Sequence, residues 1–267
     1  MHPSLKDILL FLENIAPAAI AETWDNPGLQ IGDPSQEVRK ILATLDPTLK
    51  ALREASNREA QLLLTHHPLI FPSLSCLNRN IYPGDIIFEA CGKRTAIVAA
   101  HTNLDSAQGG INDMLASLFA LRNIQVLQKN AIHPNTGLGR IGDLPVPEDL
   151  FALASRIKKL LGSEAVGVCG GGEKAVRRVA VVGGSGGGLL SLAASMGADV
   201  LVTGDVSHHD ALRAATLGMG LIDAGHFHTE KKAFALFAGR FKELLGREGW
   251  NVQVETLEDE MNPQQWV

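Results

Sequence analysis

QLLLTHHP (residues 61–68) and TAIVAAHTNLD (residues 95–105) decide the fold. Each begins as a short, almost purely apolar run and breaks off at histidine. A run of four to six such residues, without polar alternation, suits a strand buried on both faces, as in a parallel sheet. Between the two, residues 84–91 carry a helical pattern, so strand, helix and strand follow in order. Working outward, residues 40–46 form another buried strand and 48–58 a helix. Residues 4–15 form an amphipathic helix. Ser4 is its N-cap with Asp7 three positions later, and Leu5, Ile8, Leu9 and Leu12 share one face. Residues 24–32, punctuated by Gly and Pro, form a loop entering a short strand, and 110–121 a helix.

The second half repeats the alternation with more glycine. Residues 123–146 read as turn-rich, 147–161 as a helix and 164–169 as a strand before Gly170, Gly171 and Gly172. Residues 177–182 are a buried strand running into the glycines of 183–188 and a helix ending near Met196. Strands follow at 200–203 and 220–223, then a long helix at 229–245 and a terminal strand at 251–255. The alternation predicts an α/β protein of two α/β domains with mixed, largely parallel sheets. The first is expected to span 1–124 with 221–267 and to carry the metal ligands, the second 125–220. In such sheets ligands gather at the carboxyl ends of strands.

Bulk composition narrows the function. The chain has 267 residues, 45% hydrophobic and 20% charged, which suits a folded globular protein. A net charge of -5 without a basic run, and only 5% aromatic residues, argue against nucleic acid as a partner. Three cysteines without a CxxC pair argue against a disulfide framework or a thiolate zinc site. There is no secretory pattern after Met1, and no apolar run reaches the roughly 18 residues of a membrane span. A cytoplasmic protein is expected.

Seven of the nine histidines fall at or just after strand ends: His66, His67, His101, His208, His209, His226 and His228. On an extended backbone adjacent side chains diverge, so His66 and His67 suit two separate metals. Asp105 offers two oxygens and can bridge a cation pair, or serve as a turn former. His226 and Glu230, four apart at a helix start, share one face and can converge on one centre. Imidazole and carboxylate without thiolate favour Zn, Mn or Fe. Two such dications would leave a net positive site suited to an anionic substrate. His101 and His208 are candidates for proton transfer. Asp205 could hydrogen-bond a ligating histidine or cap a helix. Gly183 to Gly188 could cradle phosphate or form a close-packed turn, and no dinucleotide or P-loop pattern accompanies them.

Six motifs in order, WDNPGLQIG (24–32), LLTHHPLIF (63–71), AHTNLDSAQGGIND (100–113), GGSGG (183–187), ADVLVTGDVSHH (198–209) and DAGHFHTE (223–230), closely resemble the Nif-three-like family, labelled GTP cyclohydrolase 1 type 2 homologues. The resemblance spans nearly the whole chain. It implies a two-domain fold with a dinuclear metal centre held by His66, His67, Asp105, His226 and Glu230. It also implies a ring-shaped homohexamer built as a trimer of dimers. Asp205 departs from the family, which often has Glu there. The expected activity is metal-dependent hydrolysis of a nucleotide-like or other anionic small molecule, GTP ring opening being one such reaction. The alternative is a non-catalytic metal-handling or regulatory protein.

Overall fold

The computed structural model describes residues 2–170 and 175–264. The chain divides into two compact units, Met1–Leu104 with Phe234–Met261, and Asp105–Ala233 with Asn262–Val267. The sequence analysis set these changes at 124/125 and 220/221.

The first unit holds α1 (Leu5–Ile15), β1 (Gly28–Ile31), β2 (Lys40–Thr44), α2 (Leu49–Asn57), β3 (Leu62–Thr65), α3 (Gly84–Lys93) and β4 (Ala96–Ala99). α4 (Thr102–Ser106) follows at the boundary, a helix the sequence pattern did not show. Ser4 caps α1 in a reciprocal capping box with Asp7, as its spacing predicts. β3 and β4 are buried at every position, which explains their unbroken apolar runs. Leu42, Leu52, Leu63, Ile86 and Ile97 form a shared core.

The second unit holds α5 (Ile111–Leu118), β5 (Arg122–Lys129), β6 (Gly137–Glu148), α6 (Leu150–Leu161), β7 (Gly167–Gly170), β8 (Val176–Ser185), α7 (Leu190–Ser195), β9 (Val200–Gly204), α8 (His208–Leu217) and β10 (Gly220–Asp223). α9 (His226–Arg247) begins in this unit and runs on into residues of the first, where β11 (Gln253–Thr256) closes the chain.

Sheet order in the first unit is β1-β4-β3-β2-β11, parallel except for β1. In the second it is β5-β6-β8-β9-β10-β7, with β8, β9 and β10 parallel and the other pairings antiparallel. β10 therefore belongs with the second sheet. The predicted turn-rich stretch 123–146 is instead the β5–β6 hairpin. Its glycines mislead because they serve close backbone approach inside the sheet: a Cβ on Gly137 would lie 2.0 Å from the Gln128 carbonyl oxygen. β5 is also an exposed edge strand, so its side chains lack the apolar alternation of a half-buried one. Of the expected glycine run at 170–172, Gly171 and Gly172 lie outside the described residues. No helix among the described residues is long and apolar enough to cross a membrane.

Candidate metal centre

In the first unit β2, β3 and β4 are parallel neighbours whose last residues are in register, Thr44 with Thr65 and Thr65 with Ala99. The residues leaving their carboxyl ends therefore emerge side by side: Asp46 after β2, His66 and His67 after β3, His101 after β4. The His66 and His67 N–H groups both donate to the Leu45 carbonyl, at 3.2 and 3.0 Å. That is a bend, not a continuing strand. The expected divergence of the two rings fails for this reason: their centroids lie 5.2 Å apart. His101 joins them at 5.2 Å from His66 and 5.4 Å from His67. One ligand nitrogen from each of the three falls within 4.8 Å of the others.

Each ring is held from behind. His66 Nδ1 meets the Ala100 carbonyl at 2.7 Å, His67 Nδ1 meets Asp46 Oδ1 at 2.7 Å, and His101 Nδ1 meets Asp25 Oδ1 at 2.7 Å. A carbonyl or an ionised carboxylate has no proton to give, so Nδ1 carries the hydrogen and donates it. In the neutral ring the lone pair then sits on Nε2, the tautomer of a metal ligand supported by an outer oxygen. The Asp25 side chain is fully buried. Burial works against its ionised form, yet hydrogen bonds from His101 and Thr102 hold the carboxyl down at about 2.

The second unit builds a cluster by the same logic. β8, β9 and β10 end together, Ser185 opposite Gly204 and Thr203 opposite Asp223. Gly225, at φ 82°, turns the chain into α9, whose first residue is His226. His226 Nδ1 meets Asp205 Oδ2 at 2.6 Å and Nε2 meets Glu230 Oε2 at 2.8 Å, across one helical turn. Burial disfavours charge on the ring, but Glu230 and then Asp205 outweigh it and raise His226 to about 9. Asp205 thus supports a histidine; the capping role falls to Ser207, which forms a capping box with Asp210 at the start of α8. Asp105 is buried on α4. Its carbonyl accepts from Asn112 Nδ2 at 3.0 Å, and Asn112 Oδ1 accepts the Gly183 N–H at 2.9 Å. The adjacent Gly184 has φ 64°, and a Cβ there would lie 2.1 Å from Glu230 Oε1 and 3.3 Å from His226 Nε2.

Gly183 and Gly184 lie at the end of β8, and Gly186 and Gly187 make a close-packed turn after it. A Cβ on Gly187 would lie 2.6 Å from the Asp210 carboxylate, a neighbour that repels phosphate. His208 stands exposed at the start of α8 with its ring 5.7 Å from His209, and belongs to neither cluster. His228 packs on Phe227 at 5.5 Å, and burial lowers its pKa. Asp25 and Asp46 are functional candidates that the sequence analysis passed over. Their signal was placement: Asp46 follows the strand beside the one that runs into His66.

Each cluster by itself has the chemistry of a borderline divalent-ion site: three imidazoles braced at Nδ1 in the first unit, and an imidazole with a buried carboxylate in the second, without a thiolate in either. Gly184 supplies the room that the His226 and Glu230 functional atoms need.

Comparison with known proteins places the chain in a family. The family model Duf34/NIF3 (NGG1p interacting factor 3) matches residues 3–263. A Clostridium perfringens protein named GTP cyclohydrolase 1 type 2 homolog is 32% identical over 90% of this chain and 92% of its own length. A Helicobacter pylori protein named GTP cyclohydrolase 1 type 2 is 34% identical over 96% of this chain and 97% of its own. The crystal structure of Staphylococcus aureus protein SA1388 superimposes with a TM-score of 0.93 at 30% identity, covering 99% of both chains. The chain belongs to the Duf34/NIF3 family.

Proposed function

We propose that the protein holds two divalent ions, of zinc, manganese or iron, through His66, His67, Asp105, His226 and Glu230, and hydrolyses a nucleotide-like or other anionic small molecule. The observation that carries the proposal is the bracing of each imidazole at Nδ1, which in the neutral rings of His66 and His67 leaves Nε2 to face an ion; His226 would first give up the Nε2 proton that it shares with Glu230. Pooling the two clusters is part of the proposal and follows the ligand set that the family resemblance implies.

Bound there, divalent ions would polarise the substrate and acidify a water molecule. The chain's own residues do the rest. Asp25 orients His101 and offsets the charge that its ring gains on taking a proton at Nε2. His101 is thus placed to carry that proton, whereas His208 waits outside both clusters. The names of the relatives support ring-opening hydrolysis of GTP as the first reaction to try. The proposal includes a homohexamer, the assembly the family resemblance implies.

Metal analysis of protein purified without chelator, with mass in solution, tests the metal and assembly parts. Two ions per chain are expected, and fewer than one after His67→Ala. Turnover of a nucleotide panel tests the chemistry. If no substrate is consumed above the His67→Ala level while metal passes to an acceptor protein, the protein is a metal-handling one instead.

A further inference from the structure

Two large aromatic side chains stand in water beside the imidazole cluster of the first unit. Trp24 is 57% exposed and Phe71 49%. Water solvates such rings poorly, so burial is their ordinary fate. Neither is loose. Asp25, next to Trp24, accepts from His101 Nδ1–H at 2.7 Å and from the Thr102 N–H at 3.0 Å. Asn26 Nδ2 donates to the Ile70 carbonyl at 2.6 Å, the Ile70 N–H donates to Gln30 Oε1 at 3.0 Å, and Gln30 Nε2 donates to the Asn26 carbonyl at 2.8 Å. These bonds fasten segment 24–30 to His101 and Thr102 on one side and to Ile70, next to Phe71, on the other. The two rings meet edge to face at 5.7 Å and 79°. Both also pack edgewise on His101, at 6.1 Å from Trp24 and 6.3 Å from Phe71.

We propose that Trp24 and Phe71 form a preformed platform that stacks a planar aromatic or heteroaromatic ring of the substrate, while its anionic end reaches the imidazole cluster. This rests on the metal-centre reading above and adds the substrate class and the residues that select it. Rigid rings with two side-chain torsions bind flat partners at low entropic cost. An edge-to-face pair already has the geometry in which a third ring is attracted. Contact with His101 decides the occupant. A ligand on these rings lies next to the donor nitrogens, and a bound cation there attracts an anionic group on the same molecule. A second copy of the chain seated on the pair would instead cover the imidazoles.

The test is titration calorimetry of the whole protein, with and without zinc, against guanosine monophosphate and ribose 5-phosphate, which differ by the ring alone. Zinc content and mass in solution are measured on the same samples. Guanosine monophosphate binds tighter by roughly tenfold or more, the size of one base-stacking contact. Trp24→Ala and Phe71→Ala shrink that ratio towards one with zinc content unchanged, and Trp24→Phe keeps most of it. Equal affinities in the natural protein overturn the platform, as does no binding of the nucleotide. A ratio that survives Trp24→Ala combined with Phe71→Ala does the same. So does Trp24→Ala splitting an oligomer while leaving the ratio intact, which assigns the face to a second copy. If Trp24→Ala loses its fold by circular dichroism, Trp24→Phe and Phe71→Ala decide. Absence of zinc from the natural protein sinks the metal reading alone, because the ring ratio is still read in the zinc-free titration.

Discussion

Gly184 has room for a hydrogen and for nothing larger. Its φ of 64° and the 2.1 Å between a would-be Cβ and Glu230 Oε1 both forbid a side chain. Gly184→Ala is therefore predicted to destabilise the protein by about 2 kcal/mol or more. It should also cut metal retention, since Glu230 must move; equilibrium unfolding and metal content check the two effects. Asp25 yields a pH prediction. Its folded value of about 2 lies below the ordinary 3.8. A depressed carboxyl contributes stability that is complete above its unfolded value and lost as pH falls towards its folded one. Between pH 4 and 2 the metal-free protein should lose about 2 kcal/mol through this group. The stability gap between the natural protein and Asp25→Asn should close over the same window, and a gap that stays constant refutes the assignment. At this scale the clustered histidines were legible because histidine breaks an apolar run conspicuously. Their braces were not. Asp25 and Asp46 stand in Pro-flanked turns, where aspartate is common for local reasons.

At the scale of elements, the parallel strands β2, β3 and β4 do most of the positioning, and their apolar runs announce them. The β5–β6 hairpin was hidden by glycines that pack backbone on backbone, and α4 by its length of 5 residues. The segment after β11 contributes a brace of its own. The Glu260 carboxylate accepts from Thr44 Oγ1, from the Leu45 N–H at 2.7 Å and from the Asp46 N–H at 3.3 Å. It therefore clamps the turn that presents the Leu45 carbonyl to both histidine N–H groups and Asp46 to His67. Glu260→Ala is predicted to cost about 1–3 kcal/mol by leaving those donors without their acceptor. It should weaken zinc binding roughly tenfold or more, the range seen when an outer-shell partner of a ligating histidine is removed. Zinc titration followed by calorimetry checks this. Unchanged affinity with lowered stability would show that the clamp serves the fold alone.

Over the whole molecule, the chain leaves the first unit after Leu104 and returns to it at Phe234, yet each cluster lies within one uninterrupted stretch, residues 25–101 in the first unit and 105–230 in the second. Neither unit is a continuous stretch, and the crossings lie 20 and 13 residues from 124/125 and 220/221, because helices near a boundary carry no mark of the sheet they cover. Under the proposed metal binding, ion uptake and folding form one linked equilibrium. Free zinc at a hundredfold over its dissociation constant should stabilise the protein by about 2.7 kcal/mol. For a chain of this size that raises the melting temperature by roughly 5–10 °C, and a chelator reverses it. The same gain tests whether the clusters act together. His66→Ala removes a donor from one and Glu230→Gln from the other. If both hold the same ion pair, each single substitution abolishes most of the gain and the double substitution adds little. That is the non-additive signature of groups sharing one ligand. If each single variant instead keeps about half of the zinc-dependent gain and the losses sum in the double, the clusters bind separate ions, and the shared centre is wrong.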